Sequence, residues 1–357
     1  VPCPWPHRRY LVSSGRAHVK RFSCRCGQRV FFEDFFCLAC RTPVGFAPWD
    51  MDMVPMDGTG MSQQACRNRH EHGICNWLVP PGDSSLYCNA CRLNRVIPNL
   101  SHGRNVVLWG RIERAKRRML YGVIGLRLPL DGLPGRPPMA FEFLEDQRDN
   151  PLVEEVLVMI GHRAGLITVN IHEADDSRRH AVREAMFERY RTLLGHFRHE
   201  SGHYYWDLLT GENPDEFRAL FGDERMDYNG ALTRYYETGP MANWSRDYIS
   251  AYATAHPLED WAETWAHYLH IVDGLETAHE NALGPAPIGR SWGAQVTAWM
   301  EVAVEINELN RSLGTPDPYP FVLTAPVQQK LDFIHRKLEA WRRASATPGG
   351  AGTLARG

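Results

Sequence analysis

All nine cysteines of this 357-residue chain fall within residues 1–91, and none follows. That confinement limits what the front of the chain can become. A disulfide-braced secreted protein would not gather its cysteines so sharply. Eight of the nine form two sets with metal-ligand spacing, which suits a reducing, cytoplasmic setting. The first set is Cys24, Cys26, Cys37 and Cys40. Its two short knuckles are joined by the aromatic, β-prone "QRVFFEDFF", and a hairpin there would bring four thiolates to one tetrahedral point, a zinc ribbon. The front knuckle has one intervening residue, tighter than the usual two. The second set is Cys66, Cys75, Cys88 and Cys91, closed by "CNAC", with His70 and His72 as alternatives to one thiolate. Both sets are complete and leave no position for water, so both are read as structural zinc sites in modules too small to fold without metal. Cys3 is left over as a free thiol.

The rest of the chain reads as a globular protein of two or three domains, 43 % hydrophobic and 23 % charged. No apolar run reaches the ~18 residues of a membrane span, and no secretory signal pattern opens the chain. A net charge of −2 argues against wholesale attraction to nucleic acid. The imbalance is local: Arg8, Arg9, Arg16, Lys20, Arg21, Arg25 and Arg29 precede the first acid, Glu33. That arm reads as a solvated face of the metal module, or as a contact for phosphate or an acidic partner. The expected division is a zinc ribbon at 1–45, a second cysteine module at 46–100, a main domain at 101–343 and a disordered tail at 344–357.

Apolar periodicity predicts a helix over 105–122, and the "LPLDGLPGRPP" stretch at 128–138 is loop. Strands are expected at 139–145 and, after the turn "GHRAG", at 165–171. Helices follow at 175–190 and 189–209, then at about 257–272, 291–312 and 325–343, with 210–247 mostly loop and short helices. The fold class is α+β, mostly helical with a small sheet.

Inside "RYRTLLGHFRHESGHYYWDLL" stands His199-Glu200-Ser201-Gly202-His203. Two histidines four apart differ by ~40° around a helix, so both imidazoles address one metal. Glu200 falls beside that metal, where a carboxylate can take a proton from a zinc-bound water. A third protein ligand is needed. In "SAYATAHPLEDWAETWAHYLH", Glu259, Glu263 and His267 stand four apart and share a face, and spacing does not choose among them.

Tyr252, Glu259, Asp260, Ala262 and Glu263 are arranged as in the active-site segment of the anthrax-toxin lethal factor protease and related gluzincins, which this stretch resembles. The resemblance implies Glu259 as third ligand of a catalytic zinc and Tyr252 as the hydroxyl that stabilises the oxyanion. It also implies Glu263 as acceptor from a zinc histidine. From about Phe22 to about Ala278 the chain resembles a bacterial zinc-binding metallopeptidase family with an N-terminal zinc ribbon. The match runs through "CNWLVP", "CRLNRVIPNL", "GLITVNIHEADD", "FGDERMDY" and the two segments quoted above. That implies a zincin-like metallopeptidase domain behind two zinc modules, with one catalytic and two structural zinc ions. The implied reaction is hydrolysis of a peptide or amide bond, with Glu200 as general base. The implied partner is a peptide or protein substrate, lying along an edge strand for which "GLITVNI" is the candidate; the closed cysteine sites, separately, suit recognition of a protein partner by the ribbons. His256 is either a second oxyanion donor or a turn residue beside Pro257. "GDERMDY" is a substrate wall or a polar loop, Tyr204 to Trp206 are core, and His267 and His270 satisfy local hydrogen bonds. The alternative is a non-catalytic binding protein on a zincin scaffold, recognising protein or nucleic acid through its ribbons. The complete set of ligands, base and tyrosine counts against it.

Overall fold

The computed structural model describes residues 21–56, 64–132, 135–147, 153, 158, 160–175, 192–211, 214–287 and 290–346. Cys3, most of the basic arm, most of the tail and the helix expected at 175–190 lie outside these residues. The chain packs as two compact units, divided after Cys91.

In the first unit, β1 (Phe22–Ser23) pairs with β2 (Arg29–Val30), and β3 (Val44–Ala47) with β4 (Asp52–Pro55), both antiparallel. The pair β5 (Gln64–Ala65) and β6 (Leu78–Val79) follows, with short helices α1 (Arg67–His72) and α2 (Asn89–Arg92) beside it. An expected boundary at 45 falls inside β3. Both cysteine quartets share one aromatic core: Phe32 meets Phe46 at 4.9 Å between centroids and Phe46 meets Trp77 at 5.0 Å. Asn76 donates to the Phe32 carbonyl, and Arg69 donates to those of Phe35 and Val44. Residues between the cysteines of the second quartet are thereby tied to residues within and just after the first.

The second unit is mostly helical around one small sheet. Strands β7 (Asn94–Val96), β8 (Ala140–Leu144), β9 (Gly161–Arg163) and β10 (Leu166–Asn170) lie in the order β7-β8-β10-β9. β8 is parallel to β7 and β10, while β9 is antiparallel to β10. Thus β10, the "GLITVNI" strand expected at an edge, is paired on both sides. Among the described strands the edges are β7 and β9, and β9 occupies what the composition of "GHRAG" predicts to be a turn. Only Ala164 and Gly165 turn, at φ 48° and 85°, as a two-residue hairpin loop that matches strand twist requires.

Helix α3 (Gly103–Gly125) buries Leu108, Trp109, Ile112, Leu120 and Val123. It also buries an ion pair, Lys116 to Glu113 at 2.8 Å, with the ammonium over Phe141 and Phe143 of β8. Helices α4 (Leu193–Thr210), α5 (Pro214–Phe221), α6 (Tyr228–Thr238), α7 (Pro257–Glu280), α8 (Trp292–Ser312) and α9 (Ala325–Ala346) complete the unit. Phe217, Phe221, Trp261, Trp265 and Phe333 fill the space between α5, α7 and α9. Among the described residues no helix is long and apolar enough to cross a membrane.

Candidate metal centre

Thr192 starts α4 as its N-cap, its hydroxyl accepting from the Gly195 N–H at 2.9 Å. About two turns on, His199 and His203 bring their Nε2 atoms 3.2 Å apart. Glu259, in the first turn of α7, sets Oε2 3.0 Å from His199 Nε2 and Oε1 3.4 Å from His203 Nε2. One turn further, Glu263 accepts from His199 Nδ1 at 2.6 Å, and its other oxygen accepts from the Ser250 hydroxyl at 2.7 Å. His267, the remaining residue of that face, is buried and meets the Tyr319 hydroxyl instead. Of three residues that spacing could not separate, Glu259 faces both imidazoles, Glu263 stands behind one, and His267 points away.

The approach of α7 to α4 depends on the glycine inside the histidine pair. A Cβ on Gly202 would lie 2.9 Å from Trp265 Cδ1 and 3.0 Å from Ala262 Cα. Trp261 donates to the Gly202 carbonyl and Trp265 to the Ser201 hydroxyl, closing the seam. Gly202→Val is expected to cost about 1–3 kcal/mol through overpacking and to move Glu259 away from the imidazoles. Thermal unfolding and zinc titration check this; a variant with undiminished uptake at this centre would contradict it.

Charge in the pocket favours a cation. Burial alone would raise the Glu259 carboxyl, yet the two imidazoles hold it well below the usual range. Burial would likewise lower His199, but the Glu259 and Glu263 carboxylates override it and hold the imidazole well above its ordinary value. Positive charge is thus stabilised between these groups, and two imidazole nitrogens with one carboxylate form a donor set suited to zinc. The three donor atoms lie within 4.8 Å of one another. Glu200 is buried outside this triad, with Oε2 lacking a hydrogen-bond partner, and burial first of all pushes its carboxyl up.

The two cysteine quartets also converge, each within 4.8 Å. Cys24 and Cys40 sulfurs are 3.6 Å apart, Cys26 and Cys37 3.7 Å, and Cys75 and Cys88 3.6 Å. A zinc–sulfur bond of about 2.3 Å gives a tetrahedron with edges of about 3.8 Å, so these spacings fit the ion. All four thiols of the second quartet take part, and His70 is exposed on α1.

Residues 105–337 match the family described as "putative zinc-binding metallo-peptidase". The chain belongs to this family. A zinc-ribbon domain matches residues 21–102, over both cysteine quartets. Uncharacterised proteins of Mycobacterium bovis and Mycobacterium tuberculosis are 40 % identical over 331 residues, 89 % of this chain and 94 % of theirs. No solved structure matches the chain.

Around the triad of this metallo-peptidase family member stand four further residues. Tyr252 opens a short 3-10 turn (Tyr252–Thr254), its ring centroid 5.9 Å from that of His199. Burial, then the Glu259 charge, pushes its phenol up, so it stays a proton donor. His256 is the N-cap of α7: Nδ1 accepts from the Leu258 N–H and Nε2 donates to the Met226 carbonyl. Both ring nitrogens are engaged in the turn, which leaves none for an oxyanion. His162, on the edge strand β9, stacks parallel to His203 at 6.4 Å. Burial, then His203, lowers its imidazole to about 4, so it is neutral at pH 7. Tyr228, within "GDERMDY", donates its hydroxyl to Glu259 Oε1 at 2.6 Å. The sequence reading singled out neither His162 nor Tyr228. A three-residue strand shows no alternation, and no spacing rule joins Tyr228 to a carboxylate 31 positions later.

Proposed function

We propose that the chain is a zinc-dependent hydrolase of peptide or amide bonds of the gluzincin type. The observation that carries this reading is the convergence of His199 Nε2, His203 Nε2 and the Glu259 carboxylate beside a buried, unpartnered Glu200 oxygen. His199, His203 and Glu259 hold the catalytic zinc; the cysteine quartets hold two structural ions. When bound, the catalytic zinc supplies a Lewis acid that acidifies water and polarises a carbonyl.

Glu263 fixes the His199 tautomer through Nδ1, so Nε2 keeps its lone pair toward the triad. Glu200 takes the proton of the attacking water and returns it to the leaving nitrogen. Its raised carboxyl suits both halves of that transfer, because a weaker acid holds the proton longer before donation. Tyr252 donates its phenol to the developing oxyanion. A peptide substrate pairs with β9, the edge strand that brings His162 beside His203.

A carboxylate placed beside the triad but outside its ligand set has a role in proton transfer and none in a scaffold that only binds. This supports the hydrolase over the binding-protein alternative. The test is metal content with activity. The purified chain should carry zinc at all three clusters, and cleave an unstructured protein substrate only while the histidine–carboxylate zinc is present. Chelation should stop cleavage and added zinc restore it. A chain that takes zinc only at its cysteines would overturn the assignment.

A further inference from the structure

The geometry points to Tyr228 as a positioning residue for the histidine–carboxylate metal site: its phenol holds Glu259 Oε1 on the His203 side, so that Oε2 faces His199. This rests on the metal-triad reading above and goes beyond it, since Tyr228 belongs to neither the ligands nor the proton-transfer groups. The Tyr228 hydroxyl donates to Oε1 at 2.6 Å, while Oε2 lies 3.0 Å from His199 Nε2. A carboxylate with one oxygen engaged by a phenol directs the other toward the cation, and outer partners of this kind tune metal affinity. Glu259 is only 1 % exposed, so with the phenol in place its carboxylate is held by protein groups and not by bulk water.

The segment that delivers Tyr228 is built for that placement. Arg218 clamps Glu224 through Nε at 3.0 Å and a second nitrogen at 2.5 Å. Gly222 turns at φ +101°, where a Cβ would lie 3.2 Å from Pro257 Cγ, at the start of α7. His256 then donates to the Met226 carbonyl at 3.2 Å, and the Tyr228 ring meets its imidazole edge-on at 5.1 Å. One residue, His256, therefore caps the helix that carries Glu259 and anchors the segment that carries its partner. A phenylalanine would pack on His256 equally well; only the hydroxyl addresses Glu259.

Tyr228→Phe in the full chain tests this. With the cysteine sites filled, zinc is titrated against a chromogenic chelator. The cobalt(II) absorption of the third site and thermal unfolding without the third ion are measured alongside. The expected result is about 10–100-fold weaker zinc binding and a shifted cobalt band. A merely structural phenol would lower the unfolding midpoint while leaving affinity and spectrum unchanged, and affinity within about twofold of wild type overturns the inference alone. Should the wild-type chain bind no third ion, the metal-site reading falls, and this inference with it.

Discussion

Glu200→Gln is expected to keep zinc at all three clusters and the unfolding midpoint near wild type, while turnover falls by about 10²–10⁴-fold. The substitution is nearly isosteric and removes no metal ligand, because the triad is His199, His203 and Glu259. What it removes is the ability to hold a proton. Glu200 is 7 % exposed, and burial raises its carboxyl against the opposing pull of His199 and His203. A neutral amide of nearly the same shape buries no charge, which is why the variant should stay near wild-type stability. Steady-state kinetics at saturating substrate, beside zinc counting, gives the answer. Turnover equal to wild type with full zinc would remove Glu200 from the reaction and return the site to a binding role.

The parts of this site legible in sequence are those that one helix encodes by itself. His199, Glu200 and His203 follow from periodicity alone, because four residues bring a side chain round to the same face. The choice between Glu259 and Glu263 does not, since both satisfy the same rule on α7. It is made by how closely α7 lies against α4 at Gly202, a contact between segments some sixty residues apart. Tyr228 reaches Glu259 through a clamp within its own segment, Arg218 on Glu224, and two tertiary contacts, at Pro257 and His256, that have no local signature. The edge strand β9 escapes sequence reading for a different reason. Glycine, histidine and arginine before Ala164-Gly165 carry turn composition, yet β9 is held by its hairpin with β10 and by packing against α4, not by propensity. Helix α7 runs on to Glu280 rather than about 272, because its later turns bury only Leu275 and Ala278 and the apolar stripe fades while the helix does not. Gly274 within it makes room for the Trp299 ring of α8.

Cys75→Ser should have the largest effect on folding, and it should spread beyond its own quartet. Structural zinc in small modules contributes an apparent ~10–16 kcal/mol, comparable to or above the whole stability of an ordinary domain at ~5–15 kcal/mol. A quartet that loses one thiolate forfeits much of that. Cys75 is fully buried and precedes Asn76 and Trp77, which carry the hydrogen bonds and ring contacts to Phe32 and Phe46. The first quartet, with Cys26 and Cys40 exposed, has little core of its own beyond that cluster. The expected outcome is loss of both cysteine-bound ions and protease sensitivity across residues 21–56 as well as 64–91. Zinc at His199, His203 and Glu259 should remain, because none of those ligands belongs to the first unit. Mass spectrometry under native conditions, with limited proteolysis, reads both effects. If only one ion is lost and residues 21–56 stay resistant, the shared aromatic core is not what joins the two quartets, and each must fold on its own metal.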